Sequence, residues 1–100
     1  MIRKDKTIIA FIKKIKTDIS LNSLETVDYW DADMCAIGLK KDNKLVYIST
    51  YNYVNAKIIK YDFDFEIIDN INYETIKIIK NGINISESEL ISEIKLFLCI

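Results

Sequence analysis

Histidine is absent from the chain of 100 residues, and this absence narrows the chemistry that the protein can perform. Histidine is the commonest acid–base group in enzymes and a frequent metal ligand. Without it, Ser–His and Cys–His nucleophile pairs cannot form. The sequence also lacks a glycine-rich phosphate loop and a paired-cysteine metal motif. Two catalytic routes remain, namely a pair of carboxylates or a metal held by oxygen ligands alone.

Proline is also absent, and glycine occurs only twice, at Gly38 and Gly82, so the sequence contains no Pro- or Gly-rich linker. A chain of this length supports one hydrophobic core, and 50% of its residues are hydrophobic. We therefore expect a single domain over residues 1–100. The two cysteines, Cys35 and Cys99, belong to no motif, and we expect them to be buried thiols of an intracellular protein.

Long apolar runs are missing as well. The run from Ile8 to Ile12 covers five residues and is followed by three lysines within the next four positions. Crossing a bilayer takes about 20 apolar residues, and this run also lacks the features of a secretion signal. We expect a soluble, cytoplasmic protein that does not associate with membranes.

Charge is distributed unevenly along the chain. The net charge is −1, yet residues 1–20 carry six basic and two acidic residues (+4), whereas residues 61–100 carry three basic and eight acidic residues (−5). Direct nucleic-acid binding favours one dominant basic face. The acidic second half argues against that function.

The spacing of hydrophobic residues predicts a helix at each end of the chain. In the first helix, Asp5 is placed to cap the amino end, and Asn22 and Ser23 are expected to end it. In the last helix, Ser86 and Glu89 form a capping box, in which each side chain bonds the backbone N–H of the other residue. The apolar stripe of the first helix consists of Ile8, Ile12, Ile15 and Ile19.

The region between the helices is rich in β-branched and aromatic residues, which favour strands. We predict four strands, within residues 34–40, 44–51, 56–69 and 73–80. The turn "KDNK" joins the first two as a hairpin, and Asn81-Gly82 is expected to stop the fourth. Residues 24–30 are compatible with a short strand or a loop. The predicted fold is α+β in the order α-β-β-β-β-α, with an antiparallel sheet and both helices on one face.

The segment "YDFDFEIID" raises the question of function most directly. In a strand it places Asp62, Asp64 and Glu66 on one face and an aromatic row on the other. Alternate residues are about 7 Å apart, which permits an acid–base pair but is too wide for metal chelation without a third ligand. A second acidic group, Asp28, Asp31 and Asp33, is equally available. The carboxylates are either the solvated side of a sheet or a docking surface, and we predict no metal or cofactor site.

Four aromatic residues lie beside acids or amides, in "VDYWDAD" and "STYNYVN". Tyrosine and tryptophan dominate the energetics of many protein interfaces. Trp30, the only tryptophan, is expected in the core, and Tyr29 in a partner-binding surface. Tyr51 and Tyr53 fit either a core or a recognition surface.

The segment from Asp28 to Asp69 combines "DYWDA", a hydrophobic hairpin, "YISTYNYV" and "KYDFDFEIID". In this combination it resembles the small immunity proteins of bacterial contact-dependent growth inhibition systems. The resemblance implies a cytosolic protein that is not an enzyme, needs no cofactor and binds one cognate toxin domain. Such toxin domains are often nucleases with basic clefts, which an acidic inhibitor surface complements.

This resemblance gives the predicted function: an inhibitor of a toxin's carboxyl-terminal domain that uses an acidic and aromatic surface. The predicted contact residues are Asp28, Tyr29, Asp31, Asp33, Tyr51, Tyr53, Asp62, Asp64 and Glu66. Two alternatives remain open at this point. One is a small enzyme with a carboxylate site, and the other is an oligomerising scaffold module.

Overall fold

A computed structural model of the protein describes residues 4–19, 24–30 and 32–99. Its elements are α1 (Lys6–Asp18), β1 (Glu25–Val27), β2 (Ala36–Lys41), β3 (Lys44–Ser49), a 3-10 turn (Tyr51–Tyr53), β4 (Tyr61–Ile68), β5 (Thr75–Ile85) and α2 (Glu87–Leu98). The strands form one antiparallel sheet in the order β1-β2-β3-β4-β5. The α+β prediction is confirmed, with five strands where four were predicted.

The additional strand is β1, in the segment whose sequence fitted either a strand or a loop. The predicted strand bounds also differ from the observed ones, most at the start of β4 and the end of β5. β4 begins at Tyr61, since residues 56–60 form no regular structure, and β5 continues through Asn81-Gly82 to Ile85. The strand requires glycine at position 82, because a Cβ there would overlap the ring of Phe63 on β4. The glycine therefore serves close packing between neighbouring strands.

Helix α1 begins where the sequence predicted and ends earlier. The Asp5 carboxylate accepts a hydrogen bond from the Thr7 backbone N–H at 3.0 Å, which caps the amino end. The helix ends at Asp18 because the backbone at Ile19 is extended. The predicted stop at Asn22 and Ser23 lies outside the described residues. The predicted isoleucine stripe is buried.

Helix α2 is capped by Ser86, as predicted. The Ser86 hydroxyl accepts a hydrogen bond from the Glu89 backbone N–H at 3.2 Å. The Glu89 carboxylate accepts from the Ser86 hydroxyl at 3.1 Å, where the sequence pattern predicted a bond from the Ser86 backbone N–H. The helix is followed by Cys99 in a left-handed conformation with an exposed side chain, and Cys35 is half-buried. The prediction of two buried thiols is therefore wrong.

The cap of α2 gives a direct stability prediction. Replacing Ser86 with alanine removes the acceptor for the Glu89 N–H, and the free energy of unfolding should fall by about 1 kcal/mol. Ser92→Ala, an exposed serine within the same helix, is the matched control and should change stability little. Urea denaturation of both variants checks this. Equal stabilities would mean that the cap makes no net contribution.

Both helices pack on the same face of the sheet. The aromatic row of β4, Tyr61, Phe63 and Phe65, points toward them, as the alternation predicted. The main core joins the helices to the central strands; its fully buried members include Ile8, Phe11, Ile15, Ile37, Ile48, Leu90, Ile94 and Leu98. Within the described ranges, no helix is long and apolar enough to cross a bilayer.

Neither of the two described helices lies on the opposite side of the sheet, which we call the open face. Its side chains are defined by the strand register, in which one row of partners crosses all five strands: Val27, Gly38, Tyr47, Asp64 and Asn81. The acidic alternation of β4 places its carboxylates on this face. The open face is therefore where the predicted site residues must be sought.

Candidate interaction surface on the open face

A second, smaller hydrophobic cluster lies on the open face beneath Trp30. The indole packs against Val27, Leu45 and Ile68 and is itself only partly buried. Gly38 lets it approach the sheet, because a Cβ there would lie 3.0 Å from the Trp30 Cζ3 atom. The sequence predicted Trp30 in the main core, but it lies outside that core and is only partly exposed. It forms the floor of an exposed surface.

Four aromatic rings continue from this floor, and we call Tyr29, Trp30, Tyr47 and Tyr73 the aromatic band. The Trp30 ring centroid lies 4.8 Å from that of Tyr47 and 5.8 Å from that of Tyr29. Tyr29 in turn stacks on Tyr73 with centroids 5.3 Å apart. Tyr29 and Tyr73 remain 39% and 51% exposed, so the end of the band is open to a partner.

A buried lysine holds the aromatic band in place. The side chain of Lys4 is fully buried, and its ammonium donates hydrogen bonds to the carbonyls of Trp30 (3.0 Å) and Asp33 (2.7 Å). It also pairs with the Asp28 carboxylate at 2.8 Å. Long-range contacts thus attach the loop after β1 to the segment preceding α1. The position of Trp30 is fixed before any partner binds.

The acidic group around this loop has a structural role. Asp28 pairs with Lys4, and an Asp33 carboxylate oxygen accepts a hydrogen bond from the Cys35 backbone N–H at 2.9 Å. Asp31, the third predicted member, lies outside the described residues. Asp28 and Asp33 shape the loop that carries Trp30, and whether they also contact a partner stays a prediction.

The acids of β4 lie on one face, as predicted, but they are not equivalent. Asp62 accepts hydrogen bonds from the Tyr53 hydroxyl (2.6 Å), the Asn52 amide (3.2 Å) and the Asn84 backbone N–H (3.1 Å). The bond to Asp62 raises the pKa of the Tyr53 hydroxyl. Two predicted site residues, Asp62 and Tyr53, therefore contact each other and join the 3-10 turn to β4 and β5.

Glu66 differs from the solvated carboxylate that the alternation suggested. Its side chain is buried and accepts a hydrogen bond from the Thr75 hydroxyl on β5. The neighbouring strand covers it, since Glu66 pairs with Leu45 on one side and Ile78 on the other. The solvated interpretation is therefore wrong for Glu66.

Asp64 lies at the centre of the open face, opposite Tyr47 in the register. Partial burial raises its pKa, and the nearby charge of Asp62 raises it further. Among residues 4–19, 24–30 and 32–99, no hydrogen-bond or ion-pair partner is found for it. A carboxylate that is partly removed from water without a compensating donor is disfavoured in the charged form. A basic group from a partner would supply that compensation.

Tyr51 stands apart from the aromatic band. It lies in the 3-10 turn, is 69% exposed and donates its backbone N–H to the Ser49 hydroxyl. Sequence reasoning missed two members of the band, Tyr47 and Tyr73. The alternation of β3 contained the signal for Tyr47. Tyr73 had no local signal, because it reaches Tyr29 from the turn between β4 and β5, where its backbone has a positive φ of 61°.

The open face thus combines a rigid aromatic band with a central carboxylate that lacks a described partner. In the described part of the chain, no group of three Asp, Glu or Cys side chains is arranged to hold a metal ion. Comparison of the chain with protein families, curated proteins and solved structures finds no match. The geometry of the surface is therefore the basis for its interpretation.

Proposed function

We propose that this protein is a cytoplasmic immunity protein that neutralises a cognate toxin domain by docking its open face against it. The observation that carries the proposal is the juxtaposition of the exposed Tyr29–Tyr73 stack, the half-buried Trp30 and the central Asp64 carboxylate. The resemblance of residues 28–69 to immunity proteins of contact-dependent growth inhibition systems supports the same conclusion.

The aromatic band suits a protein partner because its rings are already fixed. Tyr and Trp bury large areas on binding with few side-chain torsions to immobilise, and they recur as interface hot spots. Lys4 holds the backbone at Trp30, and the mutual ring contacts hold Tyr29. Binding at this surface therefore costs little conformational entropy of these side chains.

Charge identifies the kind of partner. Asp62 and Asp64 are neighbours on the open face, and their mutual repulsion is relieved by a cation placed over Asp64. The exposed lysines of α1, Lys13, Lys14 and Lys16, lie on the helical side of the sheet. A basic cleft, such as that of a nuclease, complements the open face and is repelled by the outer surface of α1.

Binding also accounts for the carboxylates better than catalysis does. Asp62 is occupied by three intramolecular donors, and Glu66 is buried against Thr75. Only Asp64 of this row is left to act, and a carboxylate acid–base mechanism needs two such groups. The proposal therefore assigns no turnover to the protein.

Co-expression tests the function directly. We expect a toxin gene immediately upstream of this gene. Its carboxyl-terminal domain should arrest growth when expressed alone, and this protein should restore growth when both are produced. The Tyr29→Ala/Tyr73→Ala double variant, which lacks two rings of the proposed interface, should protect less at an equal protein level. Growth arrest that the wild-type protein does not relieve would overturn the proposal.

Asp64→Asn should stabilise the protein and weaken the complex. Because the folded state raises the pKa of Asp64, ionisation of this group lowers stability as the pH rises above the ordinary aspartate value of 3.8. The variant should therefore melt at a higher temperature than the wild type near neutral pH. This advantage should disappear below the ordinary aspartate pKa of 3.8, where Asp64 is protonated in both the folded and the unfolded state. Thermal unfolding at several pH values measures the effect.

The same variant should associate with the toxin domain more slowly at low salt, by roughly two- to tenfold, and the difference should shrink as salt rises. Asp42→Asn, in the hairpin turn between β2 and β3, removes the same charge away from the open face and is the control. Equal association rates for Asp64→Asn and wild type at low salt would remove Asp64 from the interface.

A further inference from the structure

The outer edge of β5 is a second surface with the features of a binding site. β5 is the last strand of the sheet and is 11 residues long, and all its residues are exposed except Gly82 and Ile85, which are half-buried. The other edge strand, β1, has only three residues. Four exposed isoleucines lie along β5: Ile76 (68%), Ile78 (53%), Ile79 (49%) and Ile83 (75%). A long apolar edge of this kind is a template for pairing with another strand.

The charges of β5 indicate which strand fits. Lys77 and Lys80 are its only charged residues. Lys80 forms an ion pair with Glu93 of α2, whereas no acidic partner for Lys77 is found among the described residues. Lysines on an edge strand disfavour its pairing with a second copy of the same strand, because their like charges would meet. An incoming strand with acidic residues meets no such repulsion.

The surroundings of β5 favour apolar side chains between those acids. A groove of about 440 Å³ runs between β5 and α2, and its lining combines the apolar Phe63, Ile83 and Ile85 with polar residues that include Lys80, Glu89 and Glu93. The two glutamates disfavour acidic side chains inside the groove. On the other side of the strand, Ile78 and Asn81 continue the open-face rows through Glu66 and Asp64. The edge is therefore continuous with the surface proposed to bind the toxin.

We propose that the toxin domain contributes an extended segment of alternating apolar and acidic residues, which pairs with β5 as a sixth strand. This inference rests on the proposed function and names the second part of the same interface. Main-chain hydrogen bonds to β5 supply affinity, while the α2 groove and Lys77 select the side chains. In this arrangement the open face and the β5 edge are two adjoining surfaces that both contact the toxin domain.

Hydrogen exchange of the complex tests this inference separately from the proposed function. The backbone amides along the outer edge of β5 should exchange rapidly in the free protein, and those between residues 75 and 85 should become protected when the toxin domain is bound. A stable complex without this protection would overturn the strand pairing and leave the proposed function standing. Failure to form any complex would overturn both.

Two pairs of variants give an independent result. Ile83→Thr should weaken binding by about fivefold, whereas Ile58→Thr, at a residue of nearly equal exposure (75% against 74%), should not. Lys77→Glu should weaken it by about tenfold and Lys57→Glu much less. Indistinguishable effects within each pair would contradict the proposal. So would a dimer of the free protein, seen by analytical ultracentrifugation, in which β5 amides are already protected.

Discussion

Replacing Lys4 with methionine should lower the free energy of unfolding by about 2–4 kcal/mol. Methionine keeps much of the apolar stem but removes the ammonium. The Trp30 and Asp33 carbonyls then keep only their backbone N–H donors, and the Asp28 carboxylate keeps only the Trp30 N–H. Breaking a buried ion pair by removing one partner typically costs about 3–5 kcal/mol. The Asp28 side chain is 32% exposed, so water recovers part of this cost.

The fluorescence of Trp30 provides the signal for this experiment. Trp30 is the only tryptophan, and its backbone carbonyl accepts one of the hydrogen bonds that the substitution removes. Its fluorescence and the helix signal in circular dichroism should both report unfolding at a lower urea concentration than in the wild type. Lys13→Met, on the exposed side of α1, is the control. A Lys4→Met variant within about 0.5 kcal/mol of wild type would mean that the loop is held by its other contacts.

Truncating Tyr29 and Tyr73 together to alanine should weaken toxin binding by about 30-fold or more, since interface hot spots contribute about 2 kcal/mol or more. These two rings form the exposed end of the aromatic band, and neither belongs to the main core, so their removal leaves that core intact. The stacked pair itself is worth only about 0.5–1.5 kcal/mol to folding. Affinity should therefore fall far more than stability, which calorimetric titration and urea denaturation separate.

Tyr51→Ala provides the comparison for this variant. Tyr51 is more exposed than either ring, belongs to the predicted contact residues and lies outside the aromatic band. We expect its loss to weaken binding much less than loss of the stack. If Tyr51→Ala costs more, the partner binds near the 3-10 turn, and the centre of the interface lies beside Tyr53 and Asp62.

The features of the fold that could be predicted from the sequence are those set by local chemistry. Asp5 and Ser86 cap helices through bonds to residues two and three positions away. The alternation of β4 determines which side chains face the helices. The continuation of β5 through Gly82 could not be predicted in this way, because the reason for glycine is the Phe63 ring on the neighbouring strand.

The residues of the candidate surface also differ in whether local sequence or long-range contacts determine their role. Tyr29 was identified as a contact residue from its acidic segment, whereas its neighbour Trp30 was expected in the core. Lys4 reads as one more residue of a basic segment, yet its partners lie 26 and 29 positions away. Asp62 and Glu66 resembled Asp64 in sequence, but contacts with the 3-10 turn and with β5 occupy them. Long-range packing separates equivalent residues into different roles.

Calorimetric titration of the purified toxin domain, which we expect the gene immediately upstream to encode, with the wild-type protein tests the central claim most directly. The claim predicts one-to-one binding in the nanomolar range or tighter, weakened by Tyr29→Ala/Tyr73→Ala and by Asp64→Asn but not by Lys13→Met. Absence of binding, with the two proteins migrating independently on a sizing column, would contradict it. Tight binding that both open-face variants leave unchanged would contradict the assignment of the surface.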